Sequence, residues 1–359
     1  MTGGSQGRHA IENWWSDERV APAPVRALLG CASLLYRCGR TIHRGLYASG
    51  LRRRRRLPVP VVSVGNVTVG GSGKTPFVAW LARELAQRGS RLLVVGRGYG
   101  RPAGSRLNEE GEWLERVLPA VRVVQAANRF RAARTALAQA PADLVLLDDG
   151  FQHEALVRDL DVVLVDARVP FGNGRLLPGG PLREPLSALA RARFVFATRA
   201  ELAAPGRLAA LRERIAASAP RARVGTVRFE IGALRRGDAR EPPALLNGRD
   251  VVLLTGVGSP ASVRATVERL GARVAQELAF PDHHPFERAE LDAARARADA
   301  RGAELVVTAK DAVKLDRLGG SGRYLVLEQE VAVDEAGAGL VDAIGRLVGA
   351  SPVSSASSA

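Results

Sequence analysis

Short apolar runs alternate with longer amphipathic stretches through much of the chain, and that alternation sets the expected fold. Pro60–Val64, Arg91–Val95, Val121–Gln125, Leu144–Leu147, Asp161–Val165 and Arg193–Ala197 are dominated by apolar residues, Val and Leu in the first five and Phe and Val in the last. Such near-continuous runs, separated by helical segments, predict strands of a parallel sheet covered on both faces. A strand over Val224–Ile231 and a loop over Arg235–Asn247 mark a change of register. The pattern then restarts with a strand at Val251, a helix ending near Leu270, a further helix and a strand over Glu304–Val307. In open sheets of this kind, ligands gather beyond the C-terminal ends of the strands.

Ahead of the first strand, Pro24–Ser49 has a helical period. At about 100° per residue, Leu28, Leu35, Ile42 and Leu46 fall within ~40° of one another, and Arg26, Arg37, Arg40 and Arg44 fall within ~60° on the opposite side. Arg52–Arg56 follow as an unbroken run. An apolar stripe backed by arginines describes a helix lying in an anionic membrane interface. A helix packed on the domain with a solvated basic face, and a nucleic-acid contact, are the other two readings. The last is set aside because no known aromatic-plus-basic module is present.

Charge and composition sharpen this picture. The chain has 359 residues, 46% of them hydrophobic, enough for two ordinary cores. Its net charge is +15, and residues 1–56 carry eleven arginines against Glu12, Asp17 and Glu18, or 11 − 3 = +8. A patch of that sign seeks anionic lipid, nucleic acid or an acidic substrate. Cys31 and Cys38 lie about two helical turns apart and form no disulfide or zinc pattern, which fits a reducing cytoplasm. There is no signal-peptide core, and no run approaches the ~20 apolar residues of a spanning helix.

The chemistry concentrates at strand ends. Pro60–Asn66 leads into Val67-Thr-Val-Gly-Gly-Ser-Gly-Lys-Thr75 and then a helix. Clustered glycine N–H groups and the helix N-terminus bind a polyphosphate, with Thr68, Val69, Gly70, Gly71, Ser72, Gly73, Lys74 and Thr75 forming the loop. Lys74 reaches the outer phosphates and the Thr75 hydroxyl ligates Mg²⁺. Thr68 stands where the strict pattern has glycine. Only Lys74, Lys310 and Lys314 are lysines, so arginine serves wherever either residue would, and a retained lysine marks a need for a compact point charge. Leu144–Leu147 ends in Asp148-Asp149, the form of a metal-holding strand end; either aspartate can be the ligand. Gln152 and His153 follow directly, and Arg97 follows the strand ending at Val95. The Gly/Pro-rich loop 172–185 carries Arg175 and Arg183, and loops of that length are usually functional.

The expected fold class is therefore α/β: a P-loop NTPase-type, doubly wound, mostly parallel sheet with a smaller second α/β domain and an N-terminal interfacial helix. The expected organisation is a flexible N-terminus (1–23), a basic amphipathic membrane-associated helix (24–56), a phosphate-loop domain (57–230), a smaller α/β domain (231–350) and a disordered tail (351–359). In the second domain Asp282-His283-His284 sits between turn prolines. Adjacent histidines cannot easily share one metal from a regular element, so a proton-handling role is the stronger chemical reading, against a surface or capping role. Lys310 either binds phosphate or pairs with Asp311. The guanine signature Asn-Lys-x-Asp is not met at Lys310-Asp311-Ala312.

Taken together, the motifs resemble the tetraacyldisaccharide 4′-kinase (lipid A 4′-kinase) family. The matching residues are Val64–Pro76, Gly96-Arg-Gly-Tyr-Gly-Arg101, Asp148-Asp-Gly-Phe-Gln-His153, Phe171–Pro185, Phe280–His284 and Lys310-Asp-Ala-Val-Lys314, in the family's order. The resemblance implies an enzyme, a phosphotransferase using ATP and Mg²⁺, acting on the 4′-hydroxyl of a tetraacylated glucosamine disaccharide 1-phosphate. It implies an acylated lipid substrate and a peripheral place on the cytoplasmic face of the inner membrane, with no nucleic-acid partner; the protein is expected to be a monomer. Asn66, Arg97, Gln152, His153, Arg175 and Arg183 become candidate substrate contacts, and Lys74 and Asp149 catalytic ones. The family has Gly-Asp-Glu-Pro between the second and third strands, its Asp acting as base with the His of the Asp-His motif. The chain reads Asn108-Glu-Glu-Gly111 there, so the resemblance makes Glu109 the base and His283 its helper. Ala309 stands where the family usually has Glu.

Overall fold

The computed structural model describes residues 14–15, 22–101, 104–282 and 284–350. In chain order the first half comprises α1 (Ala23–Ala48), β1 (Val61–Asn66), α2 (Lys74–Gln87), β2 (Leu92–Gly96), α3 (Glu109–Val117), β3 (Arg122–Gln125), α4 (Arg129–Gln139), β4 (Leu144–Asp148) and β5 (Leu160–Asp166). There follow β6 (Phe194–Thr198), α5 (Pro205–Ser218), β7 (Arg223–Arg236), β8 (Ala239–Glu241), β9 (Asp250–Thr255), α6 (Pro260–Arg269) and β10 (Arg273–Ala279). The last elements are α7 (Arg288–Asp299), β11 (Glu304–Thr308), α8 (Ala309–Arg317), β12 (Leu325–Val333) and α9 (Glu335–Gly349).

These elements form two compact units: Met1–Arg97 with Leu118–Arg228 and Val333–Ala359, and Gly98–Val117 with Phe229–Ala332. The division expected from sequence, at 230/231, is contiguous. The observed one differs because α3 joins the second unit and α9 joins the first. An apolar stripe records that a helix is buried, not which neighbour buries it.

In the first unit the strands run β3-β2-β4-β1-β5-β6-β7, every adjacent pair parallel. β1, β2 and β6 are buried at every position, as a sheet covered on both faces requires. The register puts Asp148 of β4 beside Val64 of β1, and Asp166 of β5 beside Thr198 of β6. The chemistry-bearing residues thus leave the sheet at one edge, beyond the strands' C-terminal ends. In the second unit β10, β9, β11 and β12 form a parallel array. The later half of β7 hairpins onto β8, so part of the loop expected over Arg235–Asn247 is strand.

α1 corrects one expectation. Arg40 and Arg44 do not stand free on a solvated or headgroup-facing side. Arg40 pairs with Glu184 at 3.1 Å, and Arg44 lies 3.6 Å from Glu154 and 3.7 Å from Glu184. Both carboxylates are buried, Glu184 to 1% exposure. The Ser33 hydroxyl donates to the Leu176 carbonyl and the Tyr36 hydroxyl to the Arg183 carbonyl, so the polar side of α1 is its docking side. Arg26 is half-buried and Arg37 exposed. Leu28, Leu35 and Ile42 face outward at 71%, 75% and 64% exposure, whereas Leu46 is half-buried. Among the described residues no helix is long and apolar enough to cross a membrane.

Glu184 also receives a two-pronged contact from Arg191, at 2.7 and 3.1 Å. Removing one partner of a buried ion pair leaves uncompensated charge, costing about 3–5 kcal/mol. Glu184→Ala is therefore expected to lower the urea midpoint and speed proteolysis within α1. An unchanged midpoint would show that apolar packing alone carries the dock.

Candidate active site

The site begins with how α2 starts. Gly70 and Gly73 have φ values of 103° and 78°, backbone that a side chain would strain, and Gly73 is the residue from which α2 springs at Lys74. No side chain caps this end, so its first N–H groups and the helix dipole remain available to an anion. The loop is held from two sides. On one, Val69 N–H donates to the Pro181 carbonyl at 2.8 Å, Thr68 bridges Leu182, and Arg183 N–H donates to Val67. On the other, the Thr198 hydroxyl donates to the Ser72 carbonyl at 2.9 Å and Arg199 Nη1 to the Gly71 carbonyl at 2.7 Å.

Asp148 and Asp149 divide the work between them. The Thr75 hydroxyl lies 3.4 Å from Asp148 Oδ2. A hydroxyl and a carboxylate at that separation form a hard oxygen set suited to Mg²⁺, which is usually held by one or two carboxylates together with substrate phosphates. Among the described residues no group of three or more His, Cys, Asp or Glu is arranged to hold a metal ion. Asp149 faces cations instead. Arg183 Nη1 lies 3.0 and 2.9 Å from its two carboxylate oxygens, Lys74 Nζ lies 3.8 Å from Oδ1, and Arg129 donates to its carbonyl at 3.0 Å. Burial pushes the Asp149 carboxyl up, but Lys74, Arg183 and Arg129 outweigh it and hold the group below the usual carboxylate range. Asp149 sits at φ 53°, a left-handed backbone that aspartate tolerates better than most residues. Gly150 then passes so close to β1 that a Cβ would come within 2.7 Å of Ser63 Oγ and Leu147 Cβ.

The structure gathers most of the sequence-derived candidates here. Asn66 is buried at the end of β1, its carbonyl accepting from Gln152 at 2.8 Å, and Gln152 lies 3.4 Å from Arg183. Arg183, expected from its loop to contact substrate, is the partner of Asp149. Arg97 is exposed beyond β2, and Arg175 is exposed beside Gly30 of α1. Sequence reasoning passed over Arg129, Glu184, Thr198 and Arg199. Arg129 is almost fully buried although charged, a fact invisible in a chain where arginine is everywhere.

His153 is pushed down to about 4, first by burial and then by Arg129, Arg158 and Arg97. Its ordinary value is 6.5, so between 6.5 and about 4 the unfolded chain takes up a proton that the folded one refuses. This stability contribution is complete above pH 6.5 and lost as pH falls toward 4. His153→Gln is expected to lose less stability than the parent between pH 7 and pH 5. Parallel urea-midpoint curves would sink the assignment.

The second unit holds a separate polar cluster. Glu109 opens α3 and pairs with Lys314 at 3.1 Å; Lys314 is 7% exposed and donates to the His284 carbonyl at 3.0 Å. Asp311 is fully buried, accepts from Gly256 N–H and the Thr308 hydroxyl, and has its carboxyl raised by burial. Lys310 pairs with Asp282 at 3.0 Å, not with Asp311. His284 contacts Glu290 at 3.0 Å and stacks on Phe280, so it is a packed residue. His283 lies outside the described residues.

A parallel sheet with a glycine loop opening a helix, a Thr–Asp pair and a Lys–Asp–Arg triad defines a P-loop nucleotide-binding protein. The family model described as Tetraacyldisaccharide-1-P 4'-kinase matches residues 25–345. The Tetraacyldisaccharide 4'-kinase of Anaeromyxobacter dehalogenans strain 2CP-C is 46% identical over 84% of this chain and 85% of its own. That of Syntrophus aciditrophicus is 34% identical over 90% and 95%. The crystal structure of LpxK from Aquifex aeolicus in complex with ATP is similar with a TM-score of 0.71 and 29% identity, over 90% of this chain and 99% of that one. The chain belongs to the tetraacyldisaccharide 4'-kinase family.

Proposed function

We propose that the protein transfers the γ-phosphoryl group of ATP to the 4′-hydroxyl of a tetraacyl glucosamine disaccharide 1-phosphate, a step of lipid A biosynthesis. The observation that carries this reading is the gathering of Lys74, Thr75, Asp148, Asp149 and Arg183 around one anion-ready helix end. Phosphoryl transfer asks for positioning and charge neutralisation more than covalent help. Lys74 and the Gly70–Thr75 amides hold the outer phosphates, while Thr75 and Asp148 would hold Mg²⁺, which neutralises charge on the transferring group. Asp149 keeps Lys74 and Arg183 in place before substrate arrives. The outward Leu28, Leu35 and Ile42 of α1 support a peripheral seat on the cytoplasmic face of the inner membrane, where an acylated substrate resides.

Glu109 is the proposed acceptor of the hydroxyl proton, with His283 assisting and Lys314 keeping the carboxylate oriented. Glu109→Gln is expected to lower kcat about a hundredfold while changing the ATP dissociation constant less than about threefold. Unchanged turnover would remove Glu109 from the reaction. The whole reading is tested by transfer of labelled phosphate from ATP to the disaccharide lipid. ATP hydrolysis without transfer would instead mark a nucleotide-hydrolysing switch protein.

A further inference from the structure

Between β5 and β6 the chain makes a long excursion, and residues 173–184 of it touch three things at once. On one side they meet α1. The Ser33 hydroxyl accepts from Gly179 N–H at 3.0 Å and shares its own proton between the Leu29 and Leu176 carbonyls, at 2.8 and 2.9 Å. Gly179 comes so near that an added Cβ would sit 2.7 Å from the Ser33 oxygen. The Tyr36 hydroxyl donates to the Arg183 carbonyl at 3.0 Å. On another side the segment meets the phosphate loop, where Val69 N–H donates to the Pro181 carbonyl at 2.8 Å and Arg183 N–H to the Val67 carbonyl at 2.7 Å. The third contact is Asp149, both of whose carboxylate oxygens take the Arg183 guanidinium. Arg183 is thus gripped by α1 at its carbonyl, by the phosphate loop at its N–H and by Asp149 at its side chain.

The segment is knitted tightly enough to act as one piece. Leu177 N–H donates to the Leu182 carbonyl at 2.9 Å, Leu182 N–H to Arg175 at 3.1 Å and Gly180 N–H to Leu176 at 3.0 Å. The Asn173 amide donates to the Gly179 carbonyl at 2.8 Å, and a Cβ on Gly180 would collide with Asn173 and the Arg175 carbonyl. Residues 179–182 are buried. A further anchor comes from the N-terminal side: Asn173 N–H donates to the Trp15 carbonyl at 2.7 Å, and the Trp15 indole to the Pro178 carbonyl at 2.9 Å. Packed side chains and hydrogen bonds of this kind form the contiguous networks through which distant groups are coupled.

We infer, on the phosphate-loop reading above, that residues 173–184 are a strap making the dock of α1 part of the nucleotide site, and that Ser33 and Tyr36 are positioning residues for that loop. Neither touches the nucleotide. They act through the strap, which fixes the backbone of Val67 and Val69 just ahead of the glycines and aims Arg183 at Asp149. The physical need is clear. Gly70 and Gly73 adopt positive φ, and glycine gives up more backbone freedom on ordering than any other residue, so the cradle must be held from outside. A cradle already ordered binds phosphate without that cost, whereas a loosened one must be ordered by the ligand itself. The polar side of α1 therefore supports ATP binding, separately from whatever its outward leucines contact.

The test is calorimetric titration of the full chain with Mg²⁺-ATP in the absence of lipid, so that no contact of α1 with an acyl chain enters. Tyr36→Phe keeps the ring and removes only the donor to Arg183; Ser33→Ala removes the contacts to Leu176 and Gly179. Each is expected to raise the ATP dissociation constant about threefold to tenfold, the span of one ordinary hydrogen bond. Amide hydrogen exchange over residues 67–73 is expected to quicken by a similar factor, with the amides of β2 unchanged. Gly39→Ala, whose added Cβ meets open space, alters α1 without touching the strap and is expected to leave ATP affinity within about twofold. A lowered urea midpoint with unchanged ATP affinity and unchanged exchange at 67–73 would make Ser33 and Tyr36 merely stabilising and overturn the strap. An equal loss of affinity in Gly39→Ala would also overturn it, by placing the effect in the helix as a whole. Should Tyr36→Phe not fold, Ser33→Ala decides by the same readings. Failure of the parent to bind Mg²⁺-ATP would overturn the phosphate-loop reading and the strap with it.

Discussion

Lys74→Ala is expected to reduce kcat/KM for lipid phosphorylation by on the order of a thousandfold. On the proposed reading the ammonium at the head of α2 is a point charge for the outer phosphates, and Asp149 lies 3.8 Å from it. Two unit charges ~4 Å apart at an effective dielectric near 20 interact by about 4 kcal/mol. At about 1.4 kcal/mol per decade that is roughly three decades in rate. Lys74→Arg is expected to recover less than about a tenth of the parent activity, because a planar, five-donor fork does not fit a slot shaped for an ammonium. The measurement is transfer from labelled ATP, with thermal melting run alongside to show that both variants fold. Turnover within tenfold of the parent in Lys74→Ala would refute the phosphate-loop assignment.

Asp149→Asn is the second large effect, and it separates the two neighbouring aspartates. Asparagine tolerates the left-handed backbone at φ 53° and keeps the side-chain shape, so what is lost is the negative charge facing Lys74, Arg183 and Arg129. Without it the cations repel one another and lose their common anchor. The expected fall in kcat is about a hundredfold, typical of losing one preorganised electrostatic partner, while the KM for ATP stays level or drops as local charge becomes more positive. Asp148→Asn should behave differently. Because Asp148 shares its oxygen with the Thr75 hydroxyl, its loss should raise the Mg²⁺ concentration needed for half-maximal rate by at least about tenfold. A Mg²⁺ requirement that moves with Asp149 and not with Asp148 would reverse the two roles.

Much of this site is legible in the sequence where its chemistry is contiguous. Gly70–Thr75 declares itself because a phosphate cradle is built from consecutive backbone amides, and Asp148-Asp149 because a buried strand must end before a carboxylate can be solvated. The parallel sheet is legible for the same local reason. The partners are less so. Arg183 is thirty-four positions from Asp149, and Glu109 pairs with Lys314 across most of the chain. The helix α1 is the clearest case: its period is correct, but its polar side is its docking side, because Glu184 and Glu154 are buried where no pattern in α1 can register them.

By itself, then, the sequence determined where most strands and helices form and which short segments are the candidates for binding an anion, since periodicity, glycine conformation and side-chain type are properties of neighbouring residues. Tertiary structure alone decided which charges meet. It placed Arg183 and Lys74 on Asp149, gave Thr75 to Asp148, tied Thr198 and Arg199 to the phosphate loop, moved α3 into the second unit and turned Arg40 and Arg44 of α1 inward. An ion pair or a buried dock depends on two segments distant in the chain and on the water excluded between them, and neither is written in the residues on one side.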